Sequence, residues 1–537
     1  MTYDFIVVGS GATGAMAAQT LTEAGALTAM LDVGFRDEKY ADQIPERDFL
    51  SIRKEDETQH RYMLGEKFEG IPLDEVKTGA QLTPPRLHVI REVEKWLPLH
   101  SDSFFPMESL AYGGLSASWG TGCHVFSDTE LQRCGLDPKA VREAYNVIAK
   151  RIGVSGERDD AAPYNLGDIE PHQPPPKLDS GFQALQENYR RKKRALNEKG
   201  FYLGRPALAL LTEAQDDRKA TPYHDMEFWN DHGKAAWRSW ITVDALRKKN
   251  NFHYHEGRLV LRFEEKDGLV HVHTRRTDTN GEEVFSCRKL LLSPGVLGSA
   301  RIVQRSFARE EEKLPLLCNP YRYMPCLRWG GLGKSTDQLR IGLAQLVMFH
   351  DARGDNCDAH MAALFSYRSL LLYRLLREVP LNFRDGRTIM RYLQPAFVIA
   401  GIHHPEKPSP SKFLQLKKDA RSVTGDVLQA TYILSDEERA AVNAQMRRWK
   451  WAMRRLGCFP LKVLDPGNGS SIHYAGTLPF SETEKAFHLH PSGRLHGTRN
   501  VYLSDGSGFR HLPAKGLTLT LMANAHLSAL QALKQHS

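Results

Sequence analysis

The sequence DFIVVGSGATGAMAAQTLTEAG, residues 4–25, decides the fold of this chain. It begins with an apolar run over 5–8, continues with Gly9, Gly11 and Gly14 at G-x-G-x-x-G spacing, and ends in residues that favour a helix. In such a strand–turn–helix unit, the first glycine permits the tight turn and the second lets backbone amides approach a pyrophosphate. The third allows close packing of helix on strand, and the helix N-terminus stabilises the phosphate charge. The stretch therefore predicts a dinucleotide site.

An acidic residue follows at the separation where a dinucleotide ribose is bound. Asp32 closes a second apolar strand, LTAML at 27–31, close to the ~20 residues after the glycines at which a carboxylate meets the adenosine ribose. A carboxylate there repels a 2′-phosphate, which argues against NADP. A glycine turn without a ligand is the alternative, but the strand and Asp32 together favour a nucleotide. FAD and NAD both stay open at this point.

Length and composition predict a large globular protein. At 537 residues the chain exceeds one ordinary core, so we expect two or three lobes. Hydrophobic residues make up 41% and charged residues 25%, and no apolar run is long enough to span a bilayer. A strand begins almost at once, which leaves no room for an export signal and predicts a cytoplasmic location. The 7 cysteines lack C-x-x-C pairs and His/Cys ligand spacing, so we expect reduced thiols and no metal.

The formal charge of +8 is modest for this size. The densest basic cluster, RRKKR at 190–194, has only Tyr189 as a nearby aromatic residue. A nucleic-acid surface interleaves aromatic with basic residues, so a solvated helix face is favoured and no nucleic-acid partner is expected. An anionic substrate or an acidic membrane surface fits the charge equally well.

Two segments predict elements outside the nucleotide motifs. The segment 435–438, SDEE, is a capping box that opens a helix with an apolar stripe of Val442, Met446, Trp449, Met453 and Leu456, which Gly457 ends. The segment 361–378, MAALFSYRSLLLYRLLRE, is apolar nearly all round. It predicts a helix that is buried or, alternatively, in peripheral contact with a membrane, bordering the entrance for an apolar substrate.

Five motifs, with GSGATG as the first, occur in a fixed order and carry a family resemblance. After GSGATG come GGLSASWGTG in 113–122, SPGVLGSARIV in 293–303, HYAGT in 473–477, and VYLSDGSGF followed by LTLTLMANA in 501–525. The chain resembles the glucose-methanol-choline (GMC) oxidoreductase family, FAD-dependent enzymes that act mostly on alcohols and sugars. The matching segments cover about half of the chain. The GGLSASWGTG loop looks most like the pyranose oxidase branch, in which a loop histidine can carry the flavin covalently.

The resemblance implies a cofactor and its contacts. Ser118 stands where the covalent histidine would be, so we expect noncovalent FAD. The implied pyrophosphate residues are Gly9, Gly11, Ala12 and Gly14, with Asp32 on the ribose and Val260 touching the adenine through its backbone. The implied flavin-binding residues also include Gly113 and Gly114, with Ser116 and Trp119 along the isoalloxazine ring and Asp505 and Gly506 at the ribityl chain before the last helix.

The resemblance also implies a fold. We expect an α/β fold in which a discontinuous, Rossmann-like FAD-binding domain carries an inserted α+β substrate-binding domain. The FAD-binding domain is predicted from 1–35, 100–160, 240–325 and 460–537. The substrate-binding lobe is predicted from 161–239 and 326–459, and the role of 36–99 stays open. Within the first domain, 252–276 predicts a hairpin that turns at 266–268, and 289–303 predicts a strand that restarts as a helix near Ser299.

His473 matches the family's catalytic histidine. Alcohol oxidation needs a base for the hydroxyl proton, and a histidine of near-neutral pKa serves that role. The family places an asparagine or second histidine beside it, where this chain has Gly516, followed by Leu517. Lys515 or His511 is the replacement that neighbouring sequence offers, with a solvent-facing lysine as the alternative.

The predicted function is FAD-dependent oxidation of a CH–OH group of a sugar or secondary-metabolite alcohol, with His473 as base. Two alternatives stay open: a lyase or isomerase that keeps FAD, and a non-catalytic flavin-binding protein. The residues leave the electron acceptor open.

Overall fold

The computed structural model describes residues 1–71, 82–309, 311–366 and 380–534, with only the backbone at Phe383. The strands, in chain order, are β1 (Thr2–Val8), β2 (Thr28–Leu31), β3 (Leu99–His100), β4 (Gly122–Cys123), β5 (Phe201–Gly204), β6 (Ala207–Leu208), β7 (Phe252–His255), β8 (Arg258–Lys266), β9 (Leu269–Arg276), β10 (Glu282–Leu292), β11 (Leu314–Pro315), β12 (Leu317–Cys318), β13 (Tyr321–Arg328), β14 (Leu346–His350), β15 (His360–Ser366), β16 (Phe397–His403), β17 (Lys412–Lys418), β18 (Asp426–Tyr432), β19 (Cys458–Pro460), β20 (Tyr474–Ala475) and β21 (Val501–Leu503). The helices are α1 (Ala12–Glu23), α2 (Phe49–Glu55), α3 (His60–Met63), α4 (Val93–Trp96), α5 (Asp128–Cys134), α6 (Pro138–Ile152), α7 (Ala162–Asn165), α8 (Ser180–Asn197), α9 (Ser239–Leu246), α10 (Val296–Ser306), α11 (Phe383–Leu393), α12 (Asp436–Arg455) and α13 (Thr518–Lys534).

A sheet with a parallel core positions the nucleotide motifs. Its order is β7-β2-β1-β10-β9-β8, and β21 pairs in parallel with the last residues of β10. The register aligns Val8 with both Leu31 and Leu292, and aligns Leu292 with Leu503. The carboxyl ends of β1, β2, β10 and β21 therefore lie at one edge, where open α/β sheets bind ligands. Residues of the predicted site that follow these strands are brought together there.

Several elements predicted from short sequence patterns are present in the structure. The hairpin is confirmed over 258–276: Lys266 pairs with Leu269, and the turn residues Asp267 and Gly268 both have positive φ. Residues 252–255 of the predicted first strand form β7 instead, which pairs with β2. Helix α10 begins at Val296, a few residues before the predicted restart. The capping box at Ser435 opens α12, whose predicted apolar stripe is buried. Residues 190–194 lie on α8 and are exposed.

A second, antiparallel sheet covers the cavity described below. Its order is β19-β13-β16-β15-β14-β5. Successive side chains alternate between its faces, as the pleat requires. Ala362 and Leu364 share one hydrophobic core with α8 and α12, whereas Met361, Ala363 and Phe365 line the cavity. The apolar residues on both faces let the sheet separate a core from a binding space.

The predicted helix over 361–378 is wrong for its described part. Met361–Ser366 belongs to strand β15, which pairs with both β14 and β16, and the rest of the segment lies outside the described residues. A short apolar run does not distinguish helix from strand by its period, and here pairing on both sides decides. The boundary at 325 also falls inside a strand, because β13 runs from Tyr321 to Arg328.

The segment 36–99, whose role stayed open, contributes to another sheet. β17 and β18, within the predicted substrate lobe, form a sheet with β11 and β3, so segment 36–99 ends in a strand of that sheet. Within the described ranges, no helix is both long and apolar enough to cross a membrane.

Candidate active site

One cavity of about 1310 Å³ joins the nucleotide edge of the first sheet to the apolar face of the second. It is lined by the G-x-G-x-x-G turn, the 107–120 loop, the turn after β21, and the segment containing His473. A pocket of this extent exceeds the usual size of a drug-like ligand site. The cavity is therefore large enough to hold more than one small molecule.

The three glycines of the first turn divide their tasks. Gly9 has φ +92°, and a Cβ there would lie 2.8 Å from the carbonyl oxygen of Ser293. A Cβ on Gly14 would lie 1.9 Å from the carbonyl oxygen of Gly9, so α1 packs directly on the turn. A Cβ on Gly11 would meet no atom of the described residues within 4 Å beyond its two chain neighbours, and Gly11 and Ala12 line the cavity. The first and third glycines therefore serve the backbone, while Gly11 leaves room for a ligand.

Asp32 is buried at the end of β2 beside this turn. Its Oδ2 accepts hydrogen bonds from Ser10 Oγ at 2.5 Å and from Tyr254 Oη at 2.9 Å. Burial nevertheless raises the pKa of Asp32 to about 6. Val260, also buried and lining the cavity, borders a β-bulge between it and Arg262, which frees backbone groups from the ladder. This arrangement suits a ribose hydroxyl on Asp32 and an adenine against Val260.

The 113–119 loop is tied to the first turn. Gly113, with φ +90°, donates its amide hydrogen to Ser10 Oγ at 2.8 Å. The Ser116 hydroxyl donates to the Gly113 carbonyl oxygen at 2.7 Å and also accepts from the backbone amide of Ser239 at 2.9 Å. Ser116 therefore lines the cavity but uses its polar atom to hold the loop.

The other predicted flavin residues of this loop also border the cavity. Trp119 and Ser118 line it, and Trp119 packs edge-on against Trp237. Gly114 also lines it, and a Cβ there would lie 3.3 Å from the Cα of Gly11. The two glycine-rich loops thus approach each other closely at the cavity wall.

Asp505 follows β21 and is buried at the same sheet edge. Its two oxygens accept hydrogen bonds from Ser299 Oγ at 2.6 Å and from the Ser507 amide at 2.9 Å. Burial raises the pKa of this carboxyl. The next residue, Gly506, accepts a hydrogen bond from the Gly476 amide at 3.0 Å, which anchors the His473 segment beside this turn.

The hydrogen bonds around His473 define its neutral form. β20 pairs with β12, which brings Asn319 beside His473, and His473 Nδ1 lies 3.0 Å from Asn319 Oδ1. The Asn319 amide nitrogen faces the carbonyl oxygens of His404 at 2.8 Å and Pro513 at 3.0 Å, so its amide orientation is set. Asn319 Oδ1 must therefore accept, and Nδ1 of His473 carries the proton. Nε2 is left as the basic nitrogen of a ring that lines the cavity.

Burial keeps this ring uncharged. It lowers the pKa of His473 to about 4. The ring stacks on His403, with centroids 4.6 Å apart and planes 14° from parallel, and His403 is itself buried. A stacked and hydrogen-bonded imidazole is held in one orientation. His473 is therefore neutral at neutral pH, and its Nε2 has a lone pair that can accept a proton.

The space beside Gly516 is filled by His124, which no sequence motif predicted as a site residue. A Cβ on Gly516 would lie 2.7 Å from Cδ2 of His124. His124 follows β4, is 5% exposed and lines the cavity together with His473 and Gly516. The histidine directly follows the glycine-rich loop in GTGCHVF, but nothing local connects it to position 516.

Lys515 and His511 lie elsewhere. Lys515 is fully buried, contrary to a solvent-facing side chain, and its Nζ is 2.8 Å from Glu130 Oε2 and 2.9 Å from Asn356 Oδ1. His511 Nε2 lies 2.6 Å from Asp358 Oδ1. Neither side chain is among the described residues that line the cavity. The structure therefore gives no support to Lys515 or His511 as partners of His473.

The part of the cavity beyond His473 is largely apolar. The second sheet contributes side chains from four adjacent strands, including Val347, Met361, Ala363, Phe365, Phe397, Ile399, Tyr321, Tyr323 and Pro325. Leu461 and Leu464 extend this surface. Such a lining offers few hydrogen-bond partners to a ligand with many hydroxyl groups.

Comparison with known proteins bears on the fold. No protein-family model matches this sequence, and no curated protein matches it. The fold resembles the crystal structure of pyridoxine 4-oxidase from Mesorbium loti, with a TM-score of 0.58, 12% sequence identity and the whole of both chains covered. At this identity the likeness shows the fold alone: the chain has a mixed α/β fold like that of pyridoxine 4-oxidase. The expected closeness to the pyranose oxidase branch gains no support from it.

Proposed function

We propose that this protein is a GMC-type, FAD-dependent oxidoreductase that oxidises the CH–OH group of an alcohol. The observation that carries the proposal is His473, whose hydrogen bond to Asn319 leaves Nε2 basic in the same cavity that the dinucleotide motifs line. The fold shared with pyridoxine 4-oxidase supports it. So does the order of the motifs along the chain.

The residues of the nucleotide edge fit noncovalent FAD. The open space at Gly11 and the N-terminus of α1 suit the pyrophosphate, and Asp32 suits the adenosine ribose. Asp505 and Gly506 suit the ribityl chain at the opposite side of the edge. Bound FAD would supply the acceptor for the hydride. Ser118 provides no group for a histidyl link.

His473 acts as the base in this proposal. Nε2 takes the proton of the substrate hydroxyl, while the hydride leaves the adjacent C–H bond and a carbonyl forms. Asn319 and the stacked His403 hold the imidazole so that the proton is transferred at a fixed position. The apolar wall excludes water from the alcohol during the transfer.

The apolar wall also bears on the substrate. Of the two expected classes, a sugar or a secondary-metabolite alcohol, we propose the second, with an aromatic or aliphatic body against residues such as Phe365 and Ile399. A sugar would lose hydrogen bonds to water without replacement on this surface.

An anaerobic alcohol panel tests this function. We expect benzyl alcohol, cinnamyl alcohol or 1-octanol to bleach the flavin at least about tenfold faster than D-glucose, because burial of several apolar carbons favours them by at least ~1.4 kcal/mol. The measurement is flavin absorbance in a stopped-flow instrument. Faster bleaching by glucose would contradict the apolar class. Bleaching by no alcohol would favour the lyase or non-catalytic alternative.

A second prediction concerns the cofactor cradle. Gly11→Val should lower FAD affinity at least about tenfold, since its side chain enters the space that the pyrophosphate needs. The fold should persist, because, apart from the two chain neighbours of Gly11, the described residues place no atom within 4 Å of the new Cβ. FAD titration and circular dichroism measure both effects, with Gly281→Val, in the loop before β10, as control. Unchanged FAD affinity in Gly11→Val would argue against a pyrophosphate site at Gly11. Separately, acid precipitation of the parent protein should release the flavin into the supernatant, as expected for noncovalent FAD.

A further inference from the structure

We propose that His124 is a second catalytic residue of this site, donating a hydrogen bond from its imidazole to the substrate oxygen while His473 takes the hydroxyl proton. The inference rests on the proposed oxidation of an alcohol. It assigns to a residue of the 107–124 region the role that the resemblance led us to expect at position 516. The ligand group recognised is the hydroxyl of the alcohol and the carbonyl of its product.

The position of His124 follows from two glycines. A Cβ on Gly516 would lie 2.7 Å from Cδ2 and 3.5 Å from Nε2 of His124, and a Cβ on Gly122 would lie 3.2 Å from Nε2. The ring therefore occupies the volume that a side chain at 516 would fill. Glycine at 516 is what makes room for His124 beside the cavity. Two distant parts of the chain thus build one polar position.

The enclosed Nδ1 of His124 indicates which tautomer the ring adopts. His124 is only 5% exposed, so water does not reach Nδ1. Within the described part of the chain, this nitrogen has no hydrogen-bond partner. A proton on Nδ1 would bury a donor without an acceptor, which costs about 1–3 kcal/mol. The tautomer with its proton on Nε2 avoids this cost, because that N–H can donate a hydrogen bond to an acceptor bound in the cavity. A substrate oxygen is such an acceptor.

Electrostatics keep the imidazole neutral, so that it has one N–H. Burial lowers the pKa of His124 to about 3, with smaller contributions from the positive charge of Lys515 and from His473. The two histidines then have complementary roles. His473 Nε2 accepts a proton, whereas His124 Nε2–H donates a hydrogen bond and retains its proton throughout. The bond strengthens as negative charge develops on the substrate oxygen.

His403 is a less suitable donor. Its ring lies face to face with His473 at 4.6 Å, and its Nδ1 is likewise enclosed without a partner among the described residues. It contacts His473 through the ring face, and the space at position 516 is filled by His124 and not by His403. We assign His403 to positioning His473.

The first test compares variants of His124 in the FAD-loaded enzyme. His124→Phe fills the ring volume without a donor and should slow anaerobic flavin reduction by benzyl alcohol, or by the panel alcohol that reduces the parent fastest, about 10- to 100-fold. The dissociation constant of that alcohol should change less than about threefold. His124→Ala/Gly516→Asn vacates the ring volume and places an amide at 516, so it should recover at least about tenfold over His124→Ala.

The second measurement isolates the hydrogen bond from the rate. Oxidised parent enzyme is mixed with carbonyl-labelled benzaldehyde, and the infrared C=O stretch of the bound aldehyde is recorded. Neutral His473 offers no proton on Nε2, so a shift to lower frequency reports the His124 donor. The shift should be lost in His124→Phe and kept in His360→Phe, a control whose enclosed Nδ1 also lacks a partner among the described residues but which does not line the cavity.

The outcomes separate the two proposals. A parent flavin that no alcohol reduces overturns the proposed function itself. If an alcohol reduces the parent flavin and His124→Phe is reduced at a rate within about threefold of the parent, the role of His124 alone is overturned. A slower His124→Phe whose bound aldehyde keeps the shifted stretch also overturns the donor role, since it shows that His124 acts only through packing.

Discussion

His473→Ala should retain FAD and slow flavin reduction by at least about 100-fold, the scale of a lost general base. The variant removes the nitrogen that accepts the hydroxyl proton in the proposed reaction but leaves the nucleotide edge intact, because His473 contacts Asn319 and His403 rather than the glycine turns. Rapid anaerobic mixing with the fastest panel alcohol gives the rate, and flavin absorbance gives the occupancy. Reduction at the parent rate would show that His473 is structural.

The pH dependence of the parent tests the same residue. The proton acceptor must be neutral, and burial lowers the pKa of His473 to about 4. The rate constant for flavin reduction should therefore stay level from pH 8 to about 5.5 and fall as the pH decreases through about 4. An unburied histidine would give a midpoint near ~6.5 instead. A midpoint there, in protein that circular dichroism shows to be folded, would contradict the buried neutral form.

Lys515→Met should lower the free energy of unfolding by about 3–5 kcal/mol, the cost of leaving one buried charge without its partner. Lys515 and Glu130 are both fully buried, with Nζ and Oε2 2.8 Å apart. Glu130 also caps α5 and accepts a hydrogen bond from the amide of Asp358, so it connects three segments of the chain. Loss of Lys515 would leave the buried carboxylate of Glu130 without a positively charged partner. Urea unfolding of the FAD-loaded protein measures the change.

The matched control removes both charges. Lys515→Met/Glu130→Gln should recover part of the lost stability, because neither remaining group is an unpaired buried ion. In the Lys515→Met protein that remains folded, flavin reduction should stay within about threefold of the parent, since Lys515 does not line the cavity. A large rate loss with unchanged stability would instead return Lys515 to a catalytic role.

Sequence patterns succeeded where short-range geometry decides the outcome. The G-x-G-x-x-G turn needs Gly9 at positive φ and Gly14 against the Gly9 carbonyl, and both requirements concern neighbours within one strand–turn–helix unit. The Asp267-Gly268 turn and the Ser435 capping box are equally local. By contrast, residues 361–366 have a period compatible with helix or strand, and pairing with two distant strands selected the strand.

The residues of the candidate site likewise fall into those that local sequence motifs predict and those that only tertiary contacts bring together. The sequence alone determined that a dinucleotide motif, Asp32 and His473 stand in one chain, because each belongs to a local pattern of glycines, apolar residues and a histidine. Only the tertiary structure decided that Asn319 Oδ1 accepts a hydrogen bond from Nδ1 of His473, that Lys515 pairs with Glu130, and that His124 fills the space at Gly516. These contacts join residues more than 150 positions apart in each case. Their geometry depends on how whole sheets and loops pack, and no periodicity or spacing along the chain encodes it.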